Sequence, residues 1–455
     1  MKPTELFLCL LLTATCALAQ GDAKSLIELG GVAVRQGELD KGIVYYNDAI
    51  HLDPKNPVAY FNRGAAYLLK RDDETALADF SDAIRLNPKY GKAYNNRGTI
   101  YKHRGDLDKA LGDYDNAVRF DPGNGGAYNN RALVRMARHE YDKAVEDCTE
   151  AIRLKPGDFV AYNNRGNALY DKGDLAAAIA DYNEAIRLHP EYANAYGNRG
   201  RANLRKGDFD ATIADCTEAI RIEPGLVTAY YNRGSAYEKK RDHDKAISDF
   251  SDAIRLDPGY VIAYANRGVT YHHKHEDDKA LEDYGKALQL DPGNAAVYNN
   301  RGNVYKGRGD YEKAIADYDK AAGIEPNGIA AYYNRSRAYT AMGVYDKAVA
   351  DCEKVAALDS TLAHNDLAWL LATCPDAGVR NGAKAVEYAL KACEVTGWQD
   401  AHAIDTLAAA YAESGDFDRA VKFETLCLAS QPPVGDAQER LELYKAGKAF
   451  HQAKP

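Results

Sequence analysis

An all-α solenoid is the fold this sequence predicts, and three observations predict it. Prolines recur at a fixed spacing of 34 residues, at Pro54, Pro88, Pro122, Pro156, Pro190, Pro224, Pro258, Pro292 and Pro326. Within each interval the large and small residues fall at helical spacing. The chain is 46% apolar and 27% charged with a net charge of −9, a balance suited to amphipathic helices in water. A fixed period over most of a chain means stacked copies of one supersecondary unit rather than independent globular domains.

The stretch from Pro88 to Asp121 shows what one unit encodes. Tyr94, Gly98 and Tyr101 stand at i, i+4 and i+7, which places them on one face of a first helix. Ala110, Tyr114 and Ala117 repeat that spacing on a second. Between them, Gly105 can take the left-handed conformation that ends a helix, and Asp106 can cap the next. Pro122 cannot continue the second helix and suits the start of the following one. Tyrosine is abundant, with 33 residues, and its place in these slots makes packing the reading over any tyrosine chemistry.

The unit resembles a tetratricopeptide repeat, on the strength of Tyr94, Gly98, Tyr101, Ala110, Tyr114, Ala117 and Pro122. The resemblance implies a right-handed α-solenoid superhelix of about twelve helix-turn-helix units, first helices lining its concave face, and a role in binding protein. One departure stands out. Where the pattern expects an apolar residue before the glycine, this chain has Arg63, Arg97, Arg131, Arg165, Arg199, Arg233, Arg267, Arg301 and Arg335.

In chain order, residues 1–19 read as a signal peptide. Lys2 precedes the apolar run Leu6–Leu12, and Ala17-Leu18-Ala19 offers a small-x-small cleavage site. The run is too short to span a bilayer, so the expectation is a periplasmic or secreted chain with no stable membrane insertion after cleavage. Ten units then occupy 20–359. Two divergent units follow at 360–432, with a loop insertion at 374–382, and 433–455 reads as a capping helix (Asp436–Phe450) and tail. Cys148, Cys216 and Cys352 take the slot of Tyr114 and are expected to be buried. Cys374, Cys393 and Cys427 are close enough in sequence for one pair to oxidise in an exported protein.

Sixteen residues after each of the nine arginines is an aspartate: Asp79, Asp113, Asp147, Asp181, Asp215, Asp249, Asp283, Asp317 and Asp351. The three units without the arginine lack the aspartate too, having Leu29 with Tyr45, Leu367 with Tyr388 and Leu407 with Phe423. Two slots that switch together from charged to apolar imply contact, because a half-buried guanidinium needs a carboxylate to offset its desolvation. Both a partner in the same unit and one in the neighbour satisfy this spacing.

One residue before each arginine is an asparagine: Asn62, Asn96, Asn130, Asn164, Asn198, Asn232, Asn266, Asn300 and Asn334. Asparagine is a mediocre helix former, so nine mid-helix copies need a reason. At about 100° per residue each points away from the tyrosine two places earlier. The row resembles the asparagine ladder of the O-linked N-acetylglucosamine transferase repeats, which implies binding of an extended polypeptide through its backbone amides and carbonyls. The alternative is that the asparagines bond neighbouring repeats and bind nothing. Arg201, Arg205 and Lys239 add a modestly basic patch that points to an acidic ligand segment. The carboxylate clamp of chaperone-binding repeats does not fit, since Asn96 stands where a second cation is needed.

No catalytic constellation, phosphate loop or paired zinc motif appears. His272, His273 and His275 beside Glu276, Asp277 and Asp278 read as a solvated turn, so no metal or other cofactor is expected. A mildly acidic chain without a basic stripe does not suit nucleic acid. The sequence therefore predicts an exported, non-enzymatic module holding a protein or peptide partner in its groove. The alternative is a scaffold or assembly factor of a cell-envelope complex that uses convex or terminal surfaces.

Overall fold

The computed structural model describes residues 22–358, 361–430 and 434–454. The expected signal peptide, with Cys9 and Cys16, and the Pro432-Pro433 terminator lie outside the described residues. Two compact units divide the chain, one through Ala236 and the other from Tyr237. Antiparallel helical hairpins build both, with a single further α-helix at the end of the second, and there is no strand among the described residues. No described helix is long and apolar enough to cross a membrane.

Seven helix pairs begin in the first unit: α1 (Ala23–Arg35) and α2 (Leu39–Leu52), α3 (Pro57–Leu69) and α4 (Asp73–Leu86), α5 (Gly91–His103) and α6 (Leu107–Phe120), α7 (Gly125–Ala137) and α8 (Tyr141–Leu154), α9 (Phe159–Lys172) and α10 (Leu175–Leu188), α11 (Ala193–Lys206) and α12 (Phe209–Ile222), then α13 (Val227–Lys239). The second unit takes up α14 (His243–Leu256) and continues as α15 (Val261–His273) and α16 (Asp277–Leu290), α17 (Ala295–Gly307) and α18 (Tyr311–Ile324), α19 (Ile329–Ala341) and α20 (Tyr345–Ala357). Two divergent pairs and a last helix complete it: α21 (His364–Thr373) and α22 (Gly382–Val395), α23 (Ala401–Glu413) and α24 (Phe417–Leu428), and α25 (Ala437–Lys445).

Local chemistry explains the hairpin. Gly105 has φ +78° and closes the first helix, and the Asp106 carboxylate accepts from Lys109 N at 3.2 Å to start the second. The proline plays a smaller part than expected. Pro122 lies in the turn, and the next helix starts three residues later at Gly125, capped by Asn124 through Ala127 N at 3.1 Å. Close approach of the two helices requires a missing side chain. A Cβ on Gly166 would sit 2.6 Å from the Tyr182 ring.

The core follows the second helix more than the first. Ala110, Tyr114 and Ala117 are fully buried, whereas Tyr94 and Tyr101 are half-buried. Those two rings lie 5.6 and 5.9 Å from the Arg97 guanidinium, so they cover the arginine rather than fill the centre. Cys148, Cys216 and Cys352 are buried in the Tyr114 slot as expected. Cys374, Cys393 and Cys427 are each buried and unpaired.

The end of the chain departs from expectation. α25 stops at Lys445 instead of running to Phe450, because Gly447 turns left-handed (φ +67°) and reverses the chain. The tail then packs back on the eleventh hairpin, where Gln452 N donates to Thr373 O at 2.8 Å and Phe450 meets Trp369 at 6.1 Å between ring centroids, and on the twelfth, where His451 Nε2 lies 2.8 Å from a Glu413 oxygen.

Candidate functional site: arginine clamps and an asparagine rail

Eight of the first-helix arginines are seen paired within their own hairpins. In Arg63–Asp79, Arg97–Asp113, Arg131–Asp147, Arg165–Asp181, Arg199–Asp215, Arg267–Asp283, Arg301–Asp317 and Arg335–Asp351, Nε and Nη2 donate to the carboxylate at 2.5–3.1 Å. This fork-on-carboxylate geometry is the strongest form of the ion pair. The partners are unequal, since the Arg63 side chain is 21% exposed and Asp79 only 3%. Burial therefore pushes Asp79, Asp147 and Asp283 up from the usual carboxylate range, against the pull of their arginines.

The remaining guanidinium nitrogen does what sequence reasoning missed. Nη1 reaches back 16 residues to an oxygen on the preceding second helix: Asn47, Ser81, Asp115, Thr149, Asn183, Thr217, Ser251 or Asp319, at 2.5–3.2 Å. Each such arginine joins two hairpins. The corresponding place for Arg301 is Gly285, which has no side chain to offer. The signal was in the sequence as a mixed slot of Asn, Ser, Asp and Thr whose only shared property is a side-chain oxygen.

The nine asparagines stand in the middle of the first helices, and none is exposed; Asn164 and Asn232 are 7% and 5% exposed. Four of them form rungs between hairpins. Nδ2 of Asn130, Asn164, Asn198 and Asn334 donates to Oδ1 of Asn95, Asn129, Asn163 and Asn299 at 2.9–3.2 Å. Asn95 and Asn163 in turn donate to the neighbouring Asn96 and Asn164 at 3.3 and 3.5 Å. The result in the first unit is a rail of amides over hairpins three to six. The accepting asparagines were not singled out from the sequence, although the doublets Asn95-Asn96, Asn129-Asn130, Asn163-Asn164 and Asn299-Asn300 announce them. Asn62, Asn232 and Asn266 have Phe61, Tyr231 and Ala265 before them instead. Asn299 and Asn300 line a cavity of about 170 Å³.

The basic residues are held in different ways. The Arg201 and Arg205 guanidiniums lie 4.2 and 5.2 Å from the Tyr170 ring, and Arg205 Nη1 donates to Tyr170 O at 3.1 Å. Both are thus fixed by one tyrosine of the preceding hairpin. Lys239 belongs to the second unit, where it borders a pocket of about 490 Å³ with Glu238, Arg241, His243, His272, His273 and His275. The three histidines noted in the sequence are there, and the fold adds Glu238 and His243.

A second feature beyond the sequence reading lies at the chain's end. Arg440, 4% exposed, donates from Nε to Asp405 at 2.8 Å, with Glu424 at 3.4 Å and Trp369 and Phe450 rings each 5.7 Å away. Burial and the neighbouring Asp405 push the Glu424 carboxyl far up, so it holds its proton at neutral pH. Beside this cluster is a pocket of about 590 Å³ lined in part by Arg337, Asp366, Trp369, His402, Asp405 and Arg440.

Comparison with known proteins supplies the family. Models described as tetratricopeptide repeat match residues 57–90, 91–124, 193–225, 227–260, 261–294, 295–327 and 329–361, and one described as TPR repeat matches 30–70 and 166–207. Together these matches cover more than half of the chain. Among solved structures, MamA is 28% identical over 35% of this chain and 94% of its own, with a TM-score of 0.34. YrrB, described as a TPR protein with an unusual peptide-binding site, is 23% identical over 39% of this chain and 92% of its own, at 0.33. The APC/C hetero-tetramer Cut9–Hcn1 is 14% identical over 88% of this chain and 92% of that one, at 0.45.

Proposed function

This chain belongs to the tetratricopeptide-repeat family of protein-interaction modules, and we propose that it holds an extended polypeptide along the asparagines of its first helices, outside the cytoplasm and without catalysing a reaction. The rail of hairpins three to six carries this reading. Each rung uses one N–H of the donor amide and one lone pair of the acceptor. The rungs leave the donor's second N–H and other carbonyl lone pairs unused, and such groups match the alternating C=O and N–H of an extended backbone. The rungs also orient the amides before any ligand arrives, which lowers the ordering cost of binding. Arg201 and Arg205, fixed on Tyr170, would favour an acidic stretch beside the rail.

The test compares the chain from Gln20 onward with a variant carrying Asn96, Asn130, Asn164 and Asn198 all as alanine, matched for helicity by circular dichroism. Both are offered a display library of unstructured peptides and an envelope extract. Enrichment of peptides and partners by the parent alone is the expected result. Equal capture by both would overturn the rail as the site and favour a scaffold acting through other surfaces. Export is tested separately, by terminal sequencing of the chain recovered from envelope fractions, with Gln20 expected as the first residue.

A further inference from the structure

Outside the asparagine rail, the second unit gathers metal-ligating side chains in one place. We propose that Glu238, His243 and His273 form a binding site for a divalent transition-metal ion such as zinc, clasping the seventh hairpin to the eighth. Glu238 lies at the end of α13, His243 opens α14 and His273 closes α15. One ligand atom from each lies within 4.8 Å of the other two. The Glu238 oxygens are already shared between the rings, with Oε2 2.9 Å from His243 Nδ1 and Oε1 2.6 Å from His273 Nδ1.

Donor chemistry selects the ion. Two imidazole nitrogens and one carboxylate oxygen are borderline ligands that suit zinc, nickel or copper(II) over magnesium or calcium. Metal–ligand bonds of about 2.0–2.2 Å put ligand atoms roughly 3.3 Å apart, so small rotations of side chains suffice to close the set around an ion. Three protein ligands leave a fourth position for water. A metal takes Glu238 as its carboxylate and each histidine through an unprotonated ring nitrogen. Lys239 and Arg241 border the same pocket, and both are exposed, with side chains long enough to turn into solvent.

Comparison between repeats separates this cluster from ordinary packing. The slot of His243 is apolar or aromatic in most other repeats, as at Leu107, Tyr141, Leu175 and Phe209. At His243 a polar residue replaces that packing, and His273 comes within reach of the same carboxylate from across the hairpin boundary.

The experiment uses the whole mature chain without a histidine tag. Cobalt(II) is titrated in and followed by its visible d–d absorption, and zinc is then added in competition. The expected result is one saturable equivalent per chain, displaced by zinc, with affinity at least about tenfold weaker in His273→Ala and in Glu238→Gln. His273 is exposed and Glu238→Gln is isosteric, so both variants should retain the parent's circular dichroism. His103→Ala, in the slot of His273 five repeats earlier, should leave binding unchanged. Absence of saturable binding, or equal binding by the parent and both site variants, would overturn the proposal. A loss of binding in His103→Ala as large as in His273→Ala would do the same.

Discussion

The nine regular hairpins and the two that follow them solve one packing problem in opposite ways. In eight regular hairpins an arginine on the first helix is seen to fork onto an aspartate of the second, and most of these arginines also reach the hairpin before. In the eleventh and twelfth the same slots are Leu367 with Tyr388 and Leu407 with Phe423. Both leucines are fully buried, and Phe423 stacks on Tyr411 at 5.6 Å and on Trp398 at 5.9 Å. Charge is not removed from this end of the chain. It is moved out of the repeat slot, into a buried group of Arg440 with Asp405 and Glu424 and a second pair, Arg380 with Glu413 at 2.9 Å. The regular design spreads many equivalent clamps along the repeats, whereas the terminal design buries its charge most deeply around one arginine supplied by the last helix.

That difference predicts unequal consequences for losing one arginine. Arg440→Ala leaves Asp405 buried without its cation and should destabilise the terminal hairpins by about 3–5 kcal/mol. Trp369 and Trp398 are the chain's two tryptophans, and both lie in this region. Their fluorescence during urea denaturation therefore reports the terminal hairpins directly, and an early transition is the expected outcome. A shift as small as that of a regular arginine would end the contrast.

Arg165→Ala is the counterpart in the regular hairpins. It removes two bonds to Asp181 and one to Thr149, and should cost about 2–3 kcal/mol, read as lost hydrogen-exchange protection in α9 and α10. Arg301→Ala sharpens the comparison. Arg301 faces Gly285 and has the aspartate alone to lose, so its cost should be smaller by about 1 kcal/mol.

The two designs should also differ in pH response. Glu424 has a folded-state pKa raised above its ordinary 4.5, so the folded chain binds a proton that the unfolded chain releases. Its stabilising share is complete below the ordinary glutamate value and falls as pH rises towards the folded-state value, by at most about 1.4 kcal/mol per pH unit for one proton. Glu424→Gln keeps the neutral, hydrogen-bonding shape and should flatten the decline of the tryptophan-reported transition with pH. An unchanged slope would place the titration elsewhere.

Legibility in the sequence follows the repeat. The hairpins, the buried tyrosine slot and the coupling of arginine with aspartate could all be read because each is restated at a fixed period, and the three exceptions switch both partners together. Assignment of the aspartate to the same hairpin could not be read, since an offset of 16 residues suits either neighbour in a stack. Neither could the Arg440 group, because α25 stands outside the repeat register and has no copies to compare. The clustering of Glu238 with His243 and His273 was hidden for a related reason: three helices contribute one residue each, and only the fold shows which ends of those helices meet. The asparagine rail was half legible, as the donor slot is constant while the acceptor slot alternates between Asn and residues such as Phe61 or Tyr231.

The smallest effect gives the finest test of the clamp. Gly285 is the gap in an otherwise oxygen-bearing slot, and a Cβ there meets nothing within 4 Å. Gly285→Ser adds a hydroxyl where Ser81 and Ser251 accept from Arg97 and Arg267 at 3.2 and 2.8 Å. It should stabilise the array by about 1–1.5 kcal/mol, roughly 0.5 from replacing glycine inside a helix and the rest from the new bond to Arg301. Gly112 lies inside α6 with the same open surroundings but outside the slot, so Gly112→Ser should yield the propensity gain alone. Placing Gly285→Ser on the Arg301→Ala background closes the cycle. There the serine has no guanidinium to meet, and its gain should fall to that of Gly112→Ser. Equal gains on both backgrounds would mean that the clamp is complete with its aspartate, and that the reach between hairpins adds nothing to stability.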